Sequence, residues 1–575
     1  MKWMSGQVRS ILVSACVALS IATAPAAAQN PRAGSAPPFS QVGQNAEGSG
    51  PNYVPSGKIV ADSGFRPSRD GFSFENYGNE GKPVNLTPPN MERLFGNQVC
   101  LSGTGATCKL TPAAKRWMRA ENTGMGGGHC MGFSVSALRL FAGTLQPLAF
   151  GGDTTNALQF KGNKGLQANL AESFVYQSIP AIVDKSFFRS PKGVLNFLIR
   201  ELNKGTEFYT LGIYKSDLSD GHAITPLAVE DKGNGKYAIL VYDNNYPSVT
   251  RAVDVDVNKN RYRYVGSTNP AEAEDVYSGG AKTRNLDLTP TLIGEKVQPC
   301  PFCDRKKAKA NLEGGTVLPA SQQYSEMTLS GDQDNHPHLI FTDTKGRQEG
   351  IIGGKVVEEI PGVEMVRRFA DDETEGFPEP KFQIKPGTNA YVTIDGSHLK
   401  KTSKNNTVDF MGNGIVVLVD DIDIKPKQKD ALFLPGAGYG LLYQYNGTAL
   451  STPLLFAGVE DGGSAYTFAA TAAGLKKGST ISLIVLKESG QVLLDASDTK
   501  GSIEERGVYS LVVNKLDSKG NDYTWVDDGL RLSGAKDEGA YFNWKQQKLR
   551  PGKALNIEVG PEDGPFVTRK ARYVK

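Results

Sequence analysis

Up to about residue 205 the apolar positions recur at helical spacing, and beyond it they crowd into short runs of β-branched and aromatic residues. Thr111-Pro112 sets a capping hydroxyl before a proline at a first helical position, and Ala113–Ala120 carries good helix formers. Ser190-Pro191 repeats the arrangement; Val194, Leu195, Leu198 and Leu202 follow at helical spacing, and Gly205 stands where the helix should stop. Between these two, Met131–Ala142 is apolar nearly all round, with Arg139 its only charge, which predicts a helix in the middle of a domain. Phe208–Tyr214, His222–Val229 and Tyr237–Tyr242 read as strands, the last two joined into a hairpin by Asp231–Gly235. Helices first and sheet second predict an α+β domain over 68–303.

After Cys303 the segment Asp304–Ala310 is basic and marks a boundary. His338–Thr342, Ile415–Val419, Thr480–Leu486 and Val508–Val513 then alternate with Gly, Asn, Asp and Pro turns, the pattern of antiparallel β-sandwiches. Asp343–Gly350 and Glu359–Gly362 look like strand-turn segments of the same kind. The length suits two β-rich domains, 311–440 and 441–575, with a seam near 430–450. Residues 29–67, dense in Gly, Ser, Pro, Asn and Gln, read as a flexible leader.

Residues 1–28 combine a basic region ending at Arg9, an apolar run Ile11–Ala22 and Ala26-Ala27-Ala28 before Gln29. This predicts a secretory signal peptide cleaved after Ala28, hence a secreted or periplasmic protein; a lipoprotein signal at Cys16 is the alternative. No later stretch approaches the ~20 apolar residues of a spanning helix, so no membrane span is expected. The chain of 575 residues carries 64 basic and 61 acidic groups, and without the signal the balance is +1. Nothing in that balance suggests an electrostatic grip on nucleic acid or anionic lipid.

Removing the signal leaves Cys100, Cys108, Cys130, Cys300 and Cys303. Thiols in an oxidising compartment tend to pair, and local spacing favours Cys100 with Cys108 and Cys300 with Cys303, with Cys130 left over. A four-thiolate zinc site built from the same four residues is the alternative, although Cys100-x7-Cys108 is loose for it.

Cys130 ends the glycine-rich run Gly126-Gly-Gly-His-Cys and opens the apolar helix. The unpaired N–H groups and dipole of a helix N-terminus stabilise an anion, so this placement favours a thiolate nucleophile. Such a thiolate wants an imidazole beside it, and the chain has 5 histidines. His129 is adjacent in sequence and is expected to point elsewhere. His222 opens a predicted strand whose hairpin partner ends in Val241-Tyr-Asp-Asn-Asn245, and in a hairpin the start of one strand lies beside the end of the next. Asp243 to Asn245 therefore fall near His222, supplying an orienter.

The order of Cys at a helix start, Gly-His at a strand start and Asp or Asn some twenty residues on resembles the papain-like cysteine peptidase superfamily, closest to its bacteriocin-leader-processing branch. The resemblance spans roughly residues 95–250. It implies a papain-like fold for the α+β domain, Cys130 as nucleophile, His222 as general base, and Asp243 as orienter with Asn244 as the alternate. The family keeps a Gln about six residues before the nucleophile to help hold the oxyanion; here position 124 is Gly, and Asn122 is the substitute left to that role.

Two function classes stand. One is an exported thiol hydrolase or acyl-transferase acting on a peptide or other amide through Cys130, His222 and Asp243 or Asn244. The other is a catalytically inactive papain-like surface or binding protein whose β-region contacts a glycan, a cell surface or a protein partner; the missing Gln at 124 favours it. No pattern asks for a cofactor or a metal. The His-x-His of Asp332-Gln-Asp-Asn-His-Pro-His338 reads as a solvated loop, and Asp420-Asp-Ile-Asp423 lacks the spaced ligands and glycine of a calcium loop.

Overall fold

A computed structural model of the chain describes residues 36, 39 and 52–574, apart from 219, 268–272, 307–318, 320–322, 333, 370–378, 435–438, 473, 499–506, 533–537, 548 and 562–564. The expected signal peptide and most of the leader lie outside the described residues. The rest forms an α+β part followed by a large all-β part.

In the α+β part the helices Pro112–Gly124, Cys130–Ala142, Lys164–Phe174 and Pro191–Lys204 precede an antiparallel sheet. The caps act as their sequences imply: Thr111 accepts from the Ala114 N–H at 3.3 Å, and Ser190 from that of Gly193 at 3.3 Å. Gly205 closes the last of these helices at φ 61°, a left-handed conformation glycine adopts without strain. The helix Cys130–Ala142 is buried on every side except around Arg139 and its C-terminal end. Gly132 lets it approach Lys164–Phe174 closely, because a Cβ there would collide with the Leu170 carbonyl. The long strand Gly221–Asp231 is the spine of the sheet. Its first half pairs with Tyr209–Tyr214 and its second half with Lys236–Tyr242, across a register shift at Pro226.

The end of the expected leader belongs to this fold. Lys58–Asp62 is a strand on the Gly221–Asp231 spine, with Lys58 opposite Asp231 and Asp62 opposite Ala228. Just before it, the buried Glu230 carboxylate accepts from the Tyr53 hydroxyl at 2.6 Å and the Ser56 N–H at 2.7 Å. These contacts tie down backbone whose composition alone reads as unstructured.

The all-β part is a single, nearly closed antiparallel sheet of 20 strands in place of two domains. Successive hairpins alternate between two facing ribbons. Ser403–Gly412 with Ile415–Ile424 lies in one, Lys429–Phe433 with Tyr439–Gln444 in the other, and Leu454–Asp461 with Ser464–Ala472 back in the first. The expected seam at 440 is absent, since Tyr439–Gln444 pairs with Lys429–Phe433 on one side and Ser479–Leu486 on the other. One core runs from Met327 to Ala571, and the final strand Val567–Tyr573 joins the ribbons by pairing with both. Alternate-residue patterning gives each strand one core face but cannot say which strands share a core.

The two parts pack through buried charge as well as apolar surface. Arg116 holds Asp409 with two 2.6 Å hydrogen bonds. Lys381 lies 3.1 Å from Glu121 and 3.2 Å from Glu326. Met411 and Val416 of the β-part join the core cluster that contains Cys130 and Trp117.

Candidate active site

Cys130 is the first residue of its helix, where the backbone N–H has no intrahelical acceptor. The four other cysteines of the described chain form the disulfides Cys100–Cys108 and Cys300–Cys303, and Cys130 is a buried free thiol. The helix lies against the spine strand, with Ser134 and Thr225 hydroxyls 2.7 Å apart.

His222 pairs opposite Ile213 near the start of that strand, and Asp243 follows directly after Tyr242, whose partner is Thr225. The hairpin thus brings the two side chains together: His222 Nε2 lies 2.8 Å from Asp243 Oδ1, both fully buried. Asp243 also accepts from the Asn245 N–H at 2.9 Å and from the Tyr264 hydroxyl. The other ring nitrogen of His222, Nδ1, is buried and has no hydrogen-bond partner. Burial by itself would push the imidazolium towards losing its proton. The Asp243 carboxylate, and after it Cys130, outweigh burial and raise the His222 pKa to about 10. Asp243 is held below the usual carboxylate range because His222 and its hydrogen bonds overcome its own burial.

Asn244 does not reach the imidazole. Its Nδ2 donates to the carbonyls of Ala223 at 2.8 Å and Cys130 at 3.3 Å, which ties the helix start to the strand. Asn122 is turned away from the thiol: its amide donates to the Leu86 carbonyl and accepts from the Leu86 N–H, both at 2.9 Å. The oxyanion role expected for it is therefore not supplied, because both ends of the side chain serve to hold the segment before Pro88. His129 points away as expected, with Nδ1 2.7 Å from the Tyr77 carbonyl and its ring against Tyr77.

Two residues escaped the sequence. Tyr264 braces Asp243 from a strand whose alternation marks it only as inward-facing. Phe369, from the β-part, stacks on Tyr214 with centroids 5.1 Å apart and planes 13° from parallel, and its N–H donates to Gln177 Oε1 at 2.7 Å. Tyr214 belongs to the same buried cluster as Cys130; burial and Asp287 do most to raise its phenol pKa, and Cys130 adds to them. The carbonyl of Arg368 sits over Gly221, the neighbour of His222. Under this cover Cys130 is 5% exposed and His222 0%. A cavity of about 580 Å³ opens on the outer side of Tyr214 and Phe369, lined by Gln177, Asp287, Arg367 and Glu358, and stops short of Cys130.

No protein-family model, curated protein or solved structure matches this chain.

Proposed function

We propose that the α+β part is a papain-like thiol hydrolase acting on a peptide or related amide outside the cytoplasm, and that the described state is its closed form. The observation that carries this reading is the buried His222 held by Asp243 through Nε2, with Nδ1 left over and Cys130 acting on the same ring. An imidazolium in that place favours the thiolate of an ion pair. Cys130 Sγ attacks the carbonyl carbon, and the oxyanion meets the N–H of Cys130 at the helix start. The C–N bond breaks as His222 Nδ1 gives its proton to the leaving amine, leaving a thioester. Water, losing a proton to His222, then breaks the C–S bond and releases the acid.

Export is supported by the two disulfides, which belong to an oxidising compartment. No helix among the described residues is long and apolar enough to cross a membrane.

A second reading, a binding protein with a silenced site, is favoured by the cover over Cys130. Alkylation separates the two. With iodoacetamide, a latent enzyme labels Cys130 slowly until Phe369 is removed, then quickly and in a manner that depends on His222. A silenced core labels Cys130 only on unfolding, whatever stands at 222.

A further inference from the structure

Three of the chain's 5 histidines come together in the β-part, far from Cys130 in sequence. His336 and His338 precede or open the strand His338–Asp343, and His398 follows Ala390–Asp395, the strand paired beside it. The rings of His338 and His398 stack at 3.9 Å between centroids, and that of His336 is 5.5 Å from His338. Beside them Glu379 is fully buried. One oxygen, Oε1, faces both His338 Nδ1, which it contacts directly, and His336 Nε2 at 3.5 Å. The ligating atoms of His336, His338 and Glu379 all lie within 4.8 Å of one another.

We propose that His336, His338 and Glu379 bind a divalent transition-metal ion, with Zn²⁺ the best fit. Two imidazole nitrogens and one carboxylate oxygen are a donor set suited to Zn²⁺, which leaves a fourth position for water. The surroundings orient the ligands. His336 Nδ1 lies 3.2 Å from the Asp332 carbonyl, which orients the ring with Nε2 towards the Glu379 carboxylate. The other oxygen, Glu379 Oε2, accepts from the Leu339 N–H at 3.4 Å, which fixes the carboxylate on the strand that carries His338. His398 is occupied otherwise, its Nε2 donating to the His336 carbonyl at 2.9 Å, so it positions the His336 backbone and does not complete the ligand set. Binding replaces the proton on His338 Nδ1 by the metal, and that proton leaves to solvent.

The ion would pin together the turn before His338–Asp343 and the residue Glu379 ahead of Lys381–Ile384. Its function is therefore structural, independent of the chemistry proposed for Cys130.

The test is titration of the untagged full-length chain with Zn²⁺ alone, followed by calorimetry and by the melting temperature. One equivalent should bind and raise the melting temperature. His336→Ala, His338→Ala and Glu379→Gln should each weaken binding at least as much as the ~10–100-fold that loss of a supporting group costs. Cys130→Ser should bind as the parent does. Absence of binding, binding indifferent to all three substitutions, or binding lost in Cys130→Ser would overturn the site. Should the variants fold poorly by circular dichroism, Co²⁺ bound to the parent chain decides. Intense visible bands of four-coordinate Co²⁺ support the site, and the weak spectrum of hydrated Co²⁺ overturns it.

Discussion

The ring of Phe369 lies parallel to that of Tyr214, 5.1 Å away, and the two belong to different parts of the chain. Tyr214 and Phe369 lie in the same buried cluster as Cys130, so the β-part reaches into the surroundings of the candidate site with an aromatic side chain. Removing that ring forfeits the burial of a Phe and an aromatic pair, roughly 2–3 kcal/mol in favour of the covered state. Phe369→Ala should accordingly speed iodoacetamide labelling of Cys130 by roughly thirtyfold to a hundredfold. Equal rates in parent and variant would mean that the cover is not what limits access.

His222 gives a pH signature. Its unfolded value is 6.5, and in the fold Asp243 and Cys130 overcome burial to raise it to about 10. A raised value means that the fold binds the proton more tightly. The stabilisation is fully present below pH 6.5 and is lost as pH rises through about 10. The Cε1–H resonance of His222 should stay at its protonated position across about pH 6–8.5. In Asp243→Asn the resonance should titrate lower, and the stability difference from the parent should shrink as pH climbs towards 10. A parent resonance that titrates near its unfolded value refutes the ion pair.

Lys381 makes the junction between the two parts sensitive to one substitution. It is 1% exposed and sits between Glu121 and Glu326. Burial pushes both carboxyls up. At Glu121 Lys381, Arg368 and Ser178 overcome burial and hold it low, whereas Glu326, with less help, stays raised. Lys381→Met leaves two buried acids around one fewer cation and should cost about 3–5 kcal/mol in urea unfolding. Adding Glu326→Gln should recover part of that loss. A neutral single variant would show that water reaches the cluster.

The legible features of the sequence were those set by near neighbours. Thr111-Pro112 and Ser190-Pro191 announce helix starts because a cap acts within one turn. Cys100 with Cys108 and Cys300 with Cys303 pair because short loops close readily. His222 meets Asp243 because one tight hairpin fixes which strand ends adjoin. Features made by distant partners were silent. Lys58–Asp62 becomes a strand only by pairing with Ala228–Asp231, and the all-β part is one sheet because Tyr439–Gln444 reaches Ser479–Leu486. Asn122 has the right chemistry for an oxyanion donor, but its direction depends on Leu86. The His336, His338 and Glu379 cluster read as a loop because Glu379 lies 41 residues beyond His338.

His129 sets the behaviour in acid. Its ring is buried between Tyr77 and Phe174, and burial lowers its pKa from 6.5 to about 4 despite the Tyr77 carbonyl. In the unfolded chain the imidazole takes a proton near pH 6.5, while in the fold it stays neutral until about pH 4. Between those values the unfolded chain binds more protons, so this residue lowers stability progressively as pH falls from 6.5 to about 4, by roughly 2–3 kcal/mol in all. Replacing it with a side chain of similar shape that does not titrate removes the slope. His129→Gln should therefore lose less stability than the parent between pH 7 and pH 4, as measured by urea midpoints at each pH, even if it is the weaker of the two at pH 7. Parallel pH profiles would show that His129 is protonated inside the fold, in which case the residue beside Cys130 carries a charge.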